Sequence, residues 1–395
     1  MITQRGSRRV IAGLLVLGWS LLVPETAPAS GCHIGFDVGS SGIRVGPALR
    51  ADRSEGTSAK VAIDYLADVR PNHEIKQTLD ATIDALISLP KTAGLPEGCQ
   101  AVAGGYSAWR MALQQGGSAH LVASLREIHQ RTRVAFFVIP QDVEGTYGYH
   151  AAKKVLGSAL QTPFILDIGG GSMQIAGQSG GWGSELGQKE WRRLFCAQIK
   201  GSPDPLCRPN PVGRSALAEV AQLLDPRIAE ARAILGSGLG LTAISPPVVK
   251  AIHPAMHYLA NERHWIAPTV DAQGLSRAAL GEAIALLATQ DDLAIVTLLD
   301  GCREKTAHPL CVPHLVSTLV TDMLLVHALM TGLNVERLDI ASAEITNVPG
   351  ILADQRALTW ANHYACYLQK LGEVGIDAFK ADPQGCGPEK KTSTH

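Results

Sequence analysis

Two short glycine-rich segments of the sequence have the composition of phosphate-binding loops. The first runs from Asp37 to Arg44 and contains Gly-Ser-Ser-Gly, and the second runs from Asp167 to Ser172 and contains three consecutive glycines. Glycine lets backbone amides approach an anion closely and allows positive φ values. Neither segment has the Gly-Lys-Ser/Thr ending of a Walker A loop. Together the two segments predict two cradles for phosphate groups.

The aspartate that begins each segment adds a second chemical function. Asp37 and Asp167 stand at the ends of predicted strands, where a carboxylate can hold a hydrated Mg²⁺. Ca²⁺ and Mn²⁺ also take oxygen ligands and are kept as alternatives. Arg44 adds a cation beside the first loop. These residue types predict a metal-dependent site for a phosphoanhydride.

Apolar strands must position the two loops. The first loop joins strands predicted over Cys32 to Asp37 and Ile43 to Leu49, and the second joins Phe164 to Ile168 with Met173 to Ala176. Strands alternate with segments of helical periodicity, which predicts an α/β fold. Two similar units about one domain-length apart indicate two related domains.

Other elements are predicted from local pattern alone. A third strand is predicted over Val61 to Asp68, and a helix that reaches Leu86 is predicted with Asn72 as its N-cap. A last helix is predicted over Ala357 to Leu371, and the polar tail, 387–395, is predicted to be disordered.

The composition is that of a folded protein without a nucleic-acid partner. The 395 residues are 46% hydrophobic and 18% charged, and the formal net charge is −1. A chain this close to neutral has no global basic field to attract nucleic acid or an acidic membrane. An anionic ligand must therefore be bound by a local site.

The N-terminus has the pattern of a signal peptide. Arg5, Arg8 and Arg9 precede an apolar run from Val10 to Val23, and Ala27-Pro28-Ala29 matches a cleavage site. The apolar run is short for a membrane-spanning helix. We therefore expect residues 1–29 to be removed, leaving no membrane span, and the mature protein to be periplasmic or secreted.

The cysteine content agrees with export. An even number of cysteines in an oxidising compartment indicates disulfides. The eight cysteines are Cys32, Cys99, Cys196, Cys207, Cys302, Cys311, Cys366 and Cys386. Three pairs are close in sequence, 196 with 207, 302 with 311 and 366 with 386, which leaves 32 with 99. Spacing alone does not fix this connectivity.

The loops resemble those of the actin/hexokinase/Hsp70-type ATPases and, within them, the exopolyphosphatase and guanosine pentaphosphate phosphatase (Ppx/GppA) family. That family has D-x-G-S-N-S-x-R where this chain has Asp37 to Arg44, and D-I-G-G-G-S-T-E where it has Asp167 to Gln174. Its T-S-A-x-R is similar to Ser107 to Arg110, preceded here by Tyr106 where a small residue is usual. Its I-S-G-E-E-E-A aligns with Ile139 to Gly145.

Several positions resemble a sister group, the apyrases. Apyrases carry D-x-G-S-S-G-T-R, which is closer to the first loop here, and E-G-x-Y-G-W, which is similar to Glu144 to Tyr149. They also have a glutamine after the second loop, as in Gln174. The later segments, such as Ser184 to Gly187, and the chain length resemble Ppx/GppA more. That family is therefore favoured, and the apyrases are the close alternative.

The resemblance implies a fold and a role for each residue that matches. It implies two actin-like (ribonuclease H-like) domains with a cleft between them, 30–160 and 161–356, with the last helix, 357–372, returning to the first domain. Glu144 would be the general base, and Asp37 and Asp167 would hold the metal through water. The implied phosphate-binding residues are Gly39, Ser40, Ser41, Gly42, Arg44, Arg110, Gly169, Gly170, Gly171 and Ser172.

Two further expectations follow from the resemblance. Gly236 and Gly238 form a candidate nucleotide or polyphosphate loop. The first and fourth strands of domain I are parallel neighbours in this fold, so a disulfide between Cys32 and Cys99, which open those strands, is plausible.

These inferences predict an exported, metal-dependent phosphoanhydride hydrolase that releases phosphate from polyphosphate or guanosine pentaphosphate. The alternatives are an apyrase that cleaves nucleoside tri- and diphosphates, and a non-catalytic sensor of phosphate or nucleotide. The altered residues Asp142, Val143 and Tyr106 motivate the sensor. A homodimer is left open.

Overall fold

The structure is a computed structural model that describes residues 32–47, 58–266, 274–300 and 313–386. The predicted signal peptide, the predicted tail and the predicted pair of Cys302 with Cys311 lie outside the described residues.

The first sheet has five strands in the order β3-β2-β1-β4-β5. Its strands are β1 (His33–Gly39), β2 (Gly42–Pro47), β3 (Ala59–Ala62), β4 (Gln100–Gly105) and β5 (Ala135–Val138). The three strands β1, β2 and β3 pair antiparallel, whereas β1, β4 and β5 pair in parallel.

The second sheet has six strands in the order β10-β11-β9-β6-β7-β8. Its strands are β6 (Phe164–Ile168), β7 (Met173–Gly177), β8 (Gly180–Ser184), β9 (Leu241–Ala243), β10 (Gly274–Ser276) and β11 (Arg337–Ile340). It repeats the plan of the first sheet, because β6, β7 and β8 pair antiparallel and β6 and β9 pair in parallel. The two glycine-rich loops are thus the β1–β2 and β6–β7 turns.

Helices connect and cover the strands. They are α1 (Tyr65–Asn72), α2 (Leu79–Thr92), α3 (Ser107–Gly116), α4 (Ser118–Thr132), α5 (Gln141–Leu156), α6 (Gln188–Gln198), α7 (Ala216–Leu235), α8 (His253–His257), α9 (Arg277–Leu287), α10 (Asp292–Leu298), α11 (Pro313–Gly332), α12 (Val348–Ala353), α13 (Gln355–Asn362) and α14 (Tyr364–Val374). Wider π-type turns, Pro247–Ile252 and Tyr258–Glu262, flank α8. Short 3₁₀ turns lie at Gly157–Ala159, Gly375–Lys380 and Pro383–Gly385.

Each sheet has its own hydrophobic core. In the first, α14 at the end of the chain packs on β5 through two buried tyrosines. The Tyr364 hydroxyl donates to the carbonyl of Phe136 (2.8 Å), and the Tyr367 hydroxyl accepts from the amide of Val138 (2.9 Å). Helix α14 therefore lies beside the first sheet.

Helices α5 and α12 connect the two halves. On α5, a side chain at Gly145 would press on Ala176 of the second sheet. On α12, Val348 and Leu352 lie so close to Gly35 of the first sheet that a Cβ there would be 2.9 Å from either side chain. Because α5 also carries Glu144 and α12 begins after Asn347, both connections contribute to the region between the sheets.

Three local predictions are wrong. The segment predicted as a strand from Val61 to Asp68 leaves the sheet at Ala62 and becomes α1. Asn72 ends α1 instead of capping the next helix, because the Asp68 carboxylate accepts from the amides of Lys76, Gln77 and Thr78 (2.8–3.0 Å) and delays the start of α2. The predicted last helix is two helices, α13 and α14, which break at His363.

Three disulfides join Cys32 to Cys99, Cys196 to Cys207, and Cys366 to Cys386, which are expected pairs. The first links the starts of the parallel neighbours β1 and β4. Within the described residues, no helix is both long enough and apolar enough to span a membrane.

Candidate active site

A cavity of about 490 Å³ lies where the carboxyl ends of strands from both sheets face each other. Ligands of open α/β sheets bind in such crevices. Its wall is formed by both glycine-rich loops, the predicted acidic residues and several others: Asp37, Gly39 to Arg44, Lys60, Val61, Ala62, Tyr106, Ser107, Glu144, Asp167 to Ser172, Gln188, Ile244, Pro246, Pro247 and Ile345 to Asn347.

The first loop is a tight turn that requires glycine at one end. Gly39 pairs with Gly42 across the hairpin, and Ser40 and Ser41 form the tip. Gly42 has φ of 147°, and a Cβ there would collide with the carbonyl oxygen of Val61 on β3. A glycine at this position therefore lets β3 pack against the turn and keeps the loop backbone at the cavity wall.

The second loop is held by its own backbone and by helix α6. The amide of Gly169 donates to the carbonyl of Ser172 (2.8 Å), which closes the turn. The first two amides of α6, from Gln188 and Lys189, donate to the carbonyls of Gly169 (2.8 Å) and Gly170 (2.7 Å). With its carbonyls bound by α6, the loop is fixed in position before any ligand arrives.

The two loops touch each other and the start of α3. A Cβ at Gly170 would collide with Ser40 Oγ and lie 2.9 Å from Ser41 Oγ, and a Cβ at Gly171 would collide with Ser107 Oγ. The glycines are thus needed for the approach of the two halves. The expected loop residues and both aspartates are brought together at one cavity.

Asp37 is buried and Asp167 is half-buried, and the two carboxylates lie near each other at the ends of β1 and β6. Burial raises the pKa of Asp37, an effect that Arg44 opposes, and the amide of Asn347 donates to its Oδ2 (3.0 Å). Burial and then the charge of Asp37 raise the pKa of Asp167 to about 6. The pair therefore has more negative charge than the neighbouring Arg44 balances.

A divalent cation fits this excess of negative charge. The cavity wall has three carboxylates, Asp37, Glu144 and Asp167, against two cations, Arg44 and Lys60, a difference of −1. Among the described residues no cluster of three or more His, Cys, Asp or Glu side chains is arranged as a closed metal site. Mg²⁺ commonly takes only one or two carboxylates and completes its shell with water and substrate phosphates. Asp37 and Asp167 suit that pattern.

Glu144 lies in the first turn of α5 and is 7% exposed. Its Oε2 accepts from Arg110 Nη1 (2.7 Å) and from Gln174 Nε2 (3.0 Å), and Gln174 also donates to Ser172 Oγ (3.2 Å). Burial raises the pKa of Glu144 to about 7, against the opposing effect of Arg110. Because the described residues donate only to Oε2, Oε1 remains for a ligand or a water molecule.

Arg110 contacts three oxygens of the protein. The residue as a whole is 1% exposed and is not part of the cavity wall. It instead binds Glu144, the carboxylate of Glu185 through Nε (2.6 Å) and the carbonyl of Ile139 through Nη1 (3.1 Å). Arg110 therefore stands behind Glu144 and fixes its orientation. Its Nη2 has no hydrogen-bond partner among the described residues, and its contact with phosphate stays a prediction.

Gly236 and Gly238 are also away from the cavity. They follow α7 and precede β9, so they lie at the amino end of that strand, whereas the loops gather at the carboxyl ends. Their positive φ values, 87° and 71°, serve the turn, and the amide of Gly238 donates to the carbonyl of Leu333 (2.8 Å). The segment after the strand, beginning at Ile244, contributes to the wall instead.

Several residues of the wall were not predicted as site residues. Tyr106 and Ser107 are buried at the start of α3, and their hydroxyls have no hydrogen-bond partner. Gln188 joins the wall while its Nε2 donates to Asp322 Oδ2 (2.5 Å) on α11. Lys60 comes from the edge strand β3. Of these residues, Tyr106 and Ser107 had a sequence signal, because they follow strand β4, and site residues of this fold class gather at the carboxyl ends of strands.

Comparison with known proteins gives matches by structure alone. No family model and no curated protein matches the sequence. The Ppx/GppA phosphatase of Aquifex aeolicus is similar over 81% of this chain and 98% of its own, with 13% identity and a TM-score of 0.55. An exopolyphosphatase from Cytophaga hutchinsonii is similar over 81% and 96%, with 15% identity and a TM-score of 0.54. An exopolyphosphatase-like protein shares 18% identity over 82% and 98%, with a TM-score of 0.53.

The similarity extends over nearly the whole of each of these structures and over about four fifths of this chain. At such low identity the similarity establishes the fold. The chain therefore has the two-domain α/β fold of the Ppx/GppA phosphatases, as its loop motifs predicted.

Proposed function

We propose that this protein hydrolyses phosphoanhydride bonds, with Glu144 as the general base. One observation carries the proposal: two glycine-rich loops face each other across one cavity that also contains a buried glutamate and two aspartates. Loops alone would support phosphate binding. The added glutamate, at the wall of the same cavity, supplies the group that hydrolysis requires.

In the proposed reaction, a water molecule beside Glu144 Oε1 attacks the terminal phosphorus of the substrate. Its oxygen forms the new P–O bond while its proton passes to the Glu144 carboxylate. The bond from phosphorus to the bridging oxygen breaks, and that oxygen leaves with the electron pair on the shortened chain. Orthophosphate is the second product. The pKa of Glu144, about 7, suits a base that works near neutral pH.

Phosphoryl transfer depends mainly on positioning and on electrostatic stabilisation. Backbone amides of Gly39 to Gly42 and of Gly169 to Ser172 would donate to the phosphoryl oxygens, with help from Ser40, Ser41 and Arg44. Asp37 and Asp167 would hold Mg²⁺, which when bound neutralises charge on the phosphate oxygens. Arg110 and Gln174 would hold the base in place.

The favoured substrates are polyphosphate and guanosine pentaphosphate. The structures with the same fold are described as exopolyphosphatases and Ppx/GppA phosphatases, and that description supports this choice at the level of reaction class. A nucleoside tri- or diphosphate is the second candidate. It is favoured by the apolar part of the wall, Ile244, Pro246, Pro247 and Ile345, which could cover a nucleoside.

A substrate panel tests the proposal. Purified protein is offered long-chain polyphosphate, guanosine pentaphosphate, ATP and ADP with Mg²⁺ or Ca²⁺, and released phosphate is measured. Chelation of the metal should stop the reaction. Glu144→Gln should abolish turnover and leave the fold intact, and retained activity in that variant would refute the mechanism. Tight binding without any release would favour a sensor over an enzyme.

Export is part of the same proposal. Three disulfides in the described residues support an oxidising compartment, since such bonds are rare in the cytosol. Cleavage after Ala29 would release the mature chain to the periplasm or the medium. The mass of the mature protein, measured on material secreted by a host, checks this.

A further inference from the structure

A row of charged side chains leads from the site to the edge of the first sheet. Asp37 on β1 is the register partner of Arg44 on β2, which is the partner of Lys60 on β3. Register partners on neighbouring strands point to the same face. Because neighbouring strands are about 4.8 Å apart, the Cα atom of Lys60 lies about 10 Å from the Cα atom of Asp37. The row therefore runs outward from the aspartate to the rim of the cavity.

A third cation and one carboxylate complete the group at this rim. Glu344 Oε2 lies 2.7 Å from Lys250 Nζ, and Glu344 Oε1 lies 3.5 Å from Arg44 Nε. Burial opposes ionisation of Glu344, whereas Lys250, Arg44 and Lys60 favour it. Three cations thus share one carboxylate, a net charge of +2. We call these four residues the rim cluster.

The rim cluster is poorly explained by stability. Like charges directly opposite on neighbouring strands destabilise a sheet, and Arg44 faces Lys60 in this way. Arg44, Glu344 and Lys250 have side chains that are 35%, 34% and 30% exposed, so their ion pairs contribute little. The described residues offer Lys60 no ion pair. The net charge of the rim cluster is positive, whereas the interior of the cavity contains three carboxylates.

We propose that Arg44, Lys60 and Lys250 form an outer anion subsite that binds phosphate groups beyond the cleaved bond, and that Glu344 occupies this subsite until substrate arrives. The proposal rests on the proposed function, which places the cleaved bond at the two loops. A ligand with two phosphates ends before Lys60, whereas a ligand with three or more reaches it. The ligand class is an oligophosphate, either free or attached to a nucleoside.

Removing each charge should change affinity in a direction fixed by its sign. Glu344→Gln should bind tripolyphosphate about three- to fivefold more tightly, because an exposed competing charge is lost. Lys60→Gln and Lys250→Gln should bind it more weakly by a similar factor. Pyrophosphate should bind all variants within about twofold, because screening at 0.15 M salt acts over about 8 Å.

The experiment measures binding by calorimetry with Mg²⁺ at 0.15 M salt, in the full chain with Glu144→Gln so that no ligand is consumed. The ligands are pyrophosphate, tripolyphosphate, ATP and guanosine pentaphosphate. Lys91→Gln, which removes the same charge from the last turn of α2 outside the cavity wall, is the matched control. Melting temperatures confirm that each variant is folded. If Glu344→Gln fails to fold, the affinities of the two lysine variants decide whether the subsite exists.

Opposite changes in the Glu344 and lysine variants, confined to ligands with three or more phosphates, would support the subsite. If the affinity for tripolyphosphate changes and that for ATP does not, the ligand is a free phosphate chain. If only the affinity for ATP changes, the ligand is a nucleotide. Equal changes for pyrophosphate and tripolyphosphate, no changes, or no binding of either would overturn the subsite. Phosphate release by the unmodified protein is measured separately. If affinity depends on the number of phosphates in this way but the unmodified protein releases no phosphate, the subsite is supported as a binding site and the proposed hydrolase activity is refuted.

Discussion

Substitution of Arg110 can distinguish two hypotheses about its role. A buried cation that orients the general base and a residue that binds the phosphate of the substrate would affect the kinetics differently. In Arg110→Gln, Glu144 loses the guanidinium that lies 2.7 Å from its Oε2. Both side chains are nearly buried, 2% and 9% exposed, so solvent screens this pair little. An opposite charge at such a distance favours the ionised carboxylate by about 1.4–4 kcal/mol, a factor of about 10 to 1,000.

The sign of the effect follows from the role of Glu144. Burial already raises the pKa of Glu144 to about 7, and Arg110 opposes that rise. Without Arg110 the pKa moves higher still, so less carboxylate is present at neutral pH. Because Glu144 is about half ionised at pH 7 when Arg110 is present, we expect kcat/KM at pH 7 to fall by about 5- to 500-fold in Arg110→Gln and to recover as the pH is raised above the new pKa.

The assay is the pH dependence of kcat/KM for phosphate release, from pH 5.5 to 9.5. Arg110→Lys, which keeps the charge but not the fork of donors, should shift the acid limb less. Glu185→Gln removes the other carboxylate bound to Arg110 and serves as the control for disruption of the network. A raised KM with an unmoved acid limb would refute the reasoning and restore Arg110 as a phosphate ligand.

Three further predictions test individual contacts. Burial raises the pKa of Asp322 to about 7, so the folded state holds the proton of this carboxyl group more tightly than the unfolded state does. The free energy of unfolding should therefore fall as the pH rises from 4 to 7. Asp322→Asn should reduce this fall and raise the free energy of unfolding, measured in urea at pH 8, by about 1–4 kcal/mol. Tyr106→Phe removes a buried hydroxyl without a partner and should raise the free energy of unfolding by about 1 kcal/mol, whereas a lower value would show that the hydroxyl is bonded. A Cβ at Gly187 would collide with the backbone of the second loop, so Gly187→Ala should abolish phosphate release, while Gly372→Ala, where a Cβ meets no atom within 4 Å, should leave it unchanged.

Local sequence pattern predicted the parts of the site that are local in the chain. Each glycine-rich loop, with its strand before and after, is a contiguous segment, so composition and order sufficed to predict it. The contact between the loops was not visible in this way. It depends on Ser40 and Gly170, which are distant in sequence and meet only when the two halves fold together.

The features that sequence missed have a common physical cause. The contacts of Arg110 with Glu144 and Glu185 were not predicted, because both carboxylates are distant from it in sequence. Asp68 looked like part of a strand, although its side chain serves the amides before α2. The rim cluster likewise joins Lys60 and Lys250, from opposite halves of the chain, around Glu344. Pairings of charge are tertiary facts that spacing does not predict.

The imbalance of charge on the cavity wall, three carboxylates against two cations, has a consequence for the kinetics of the proposed enzyme. Inside the positively charged rim cluster, the terminal phosphate of a bare polyphosphate anion would meet these three carboxylates, whereas an anion already paired with Mg²⁺ carries less charge and brings the missing cation. The true substrate would then be the complex. The rate should follow the concentration of that complex, and uncomplexed anion in excess should act as an inhibitor.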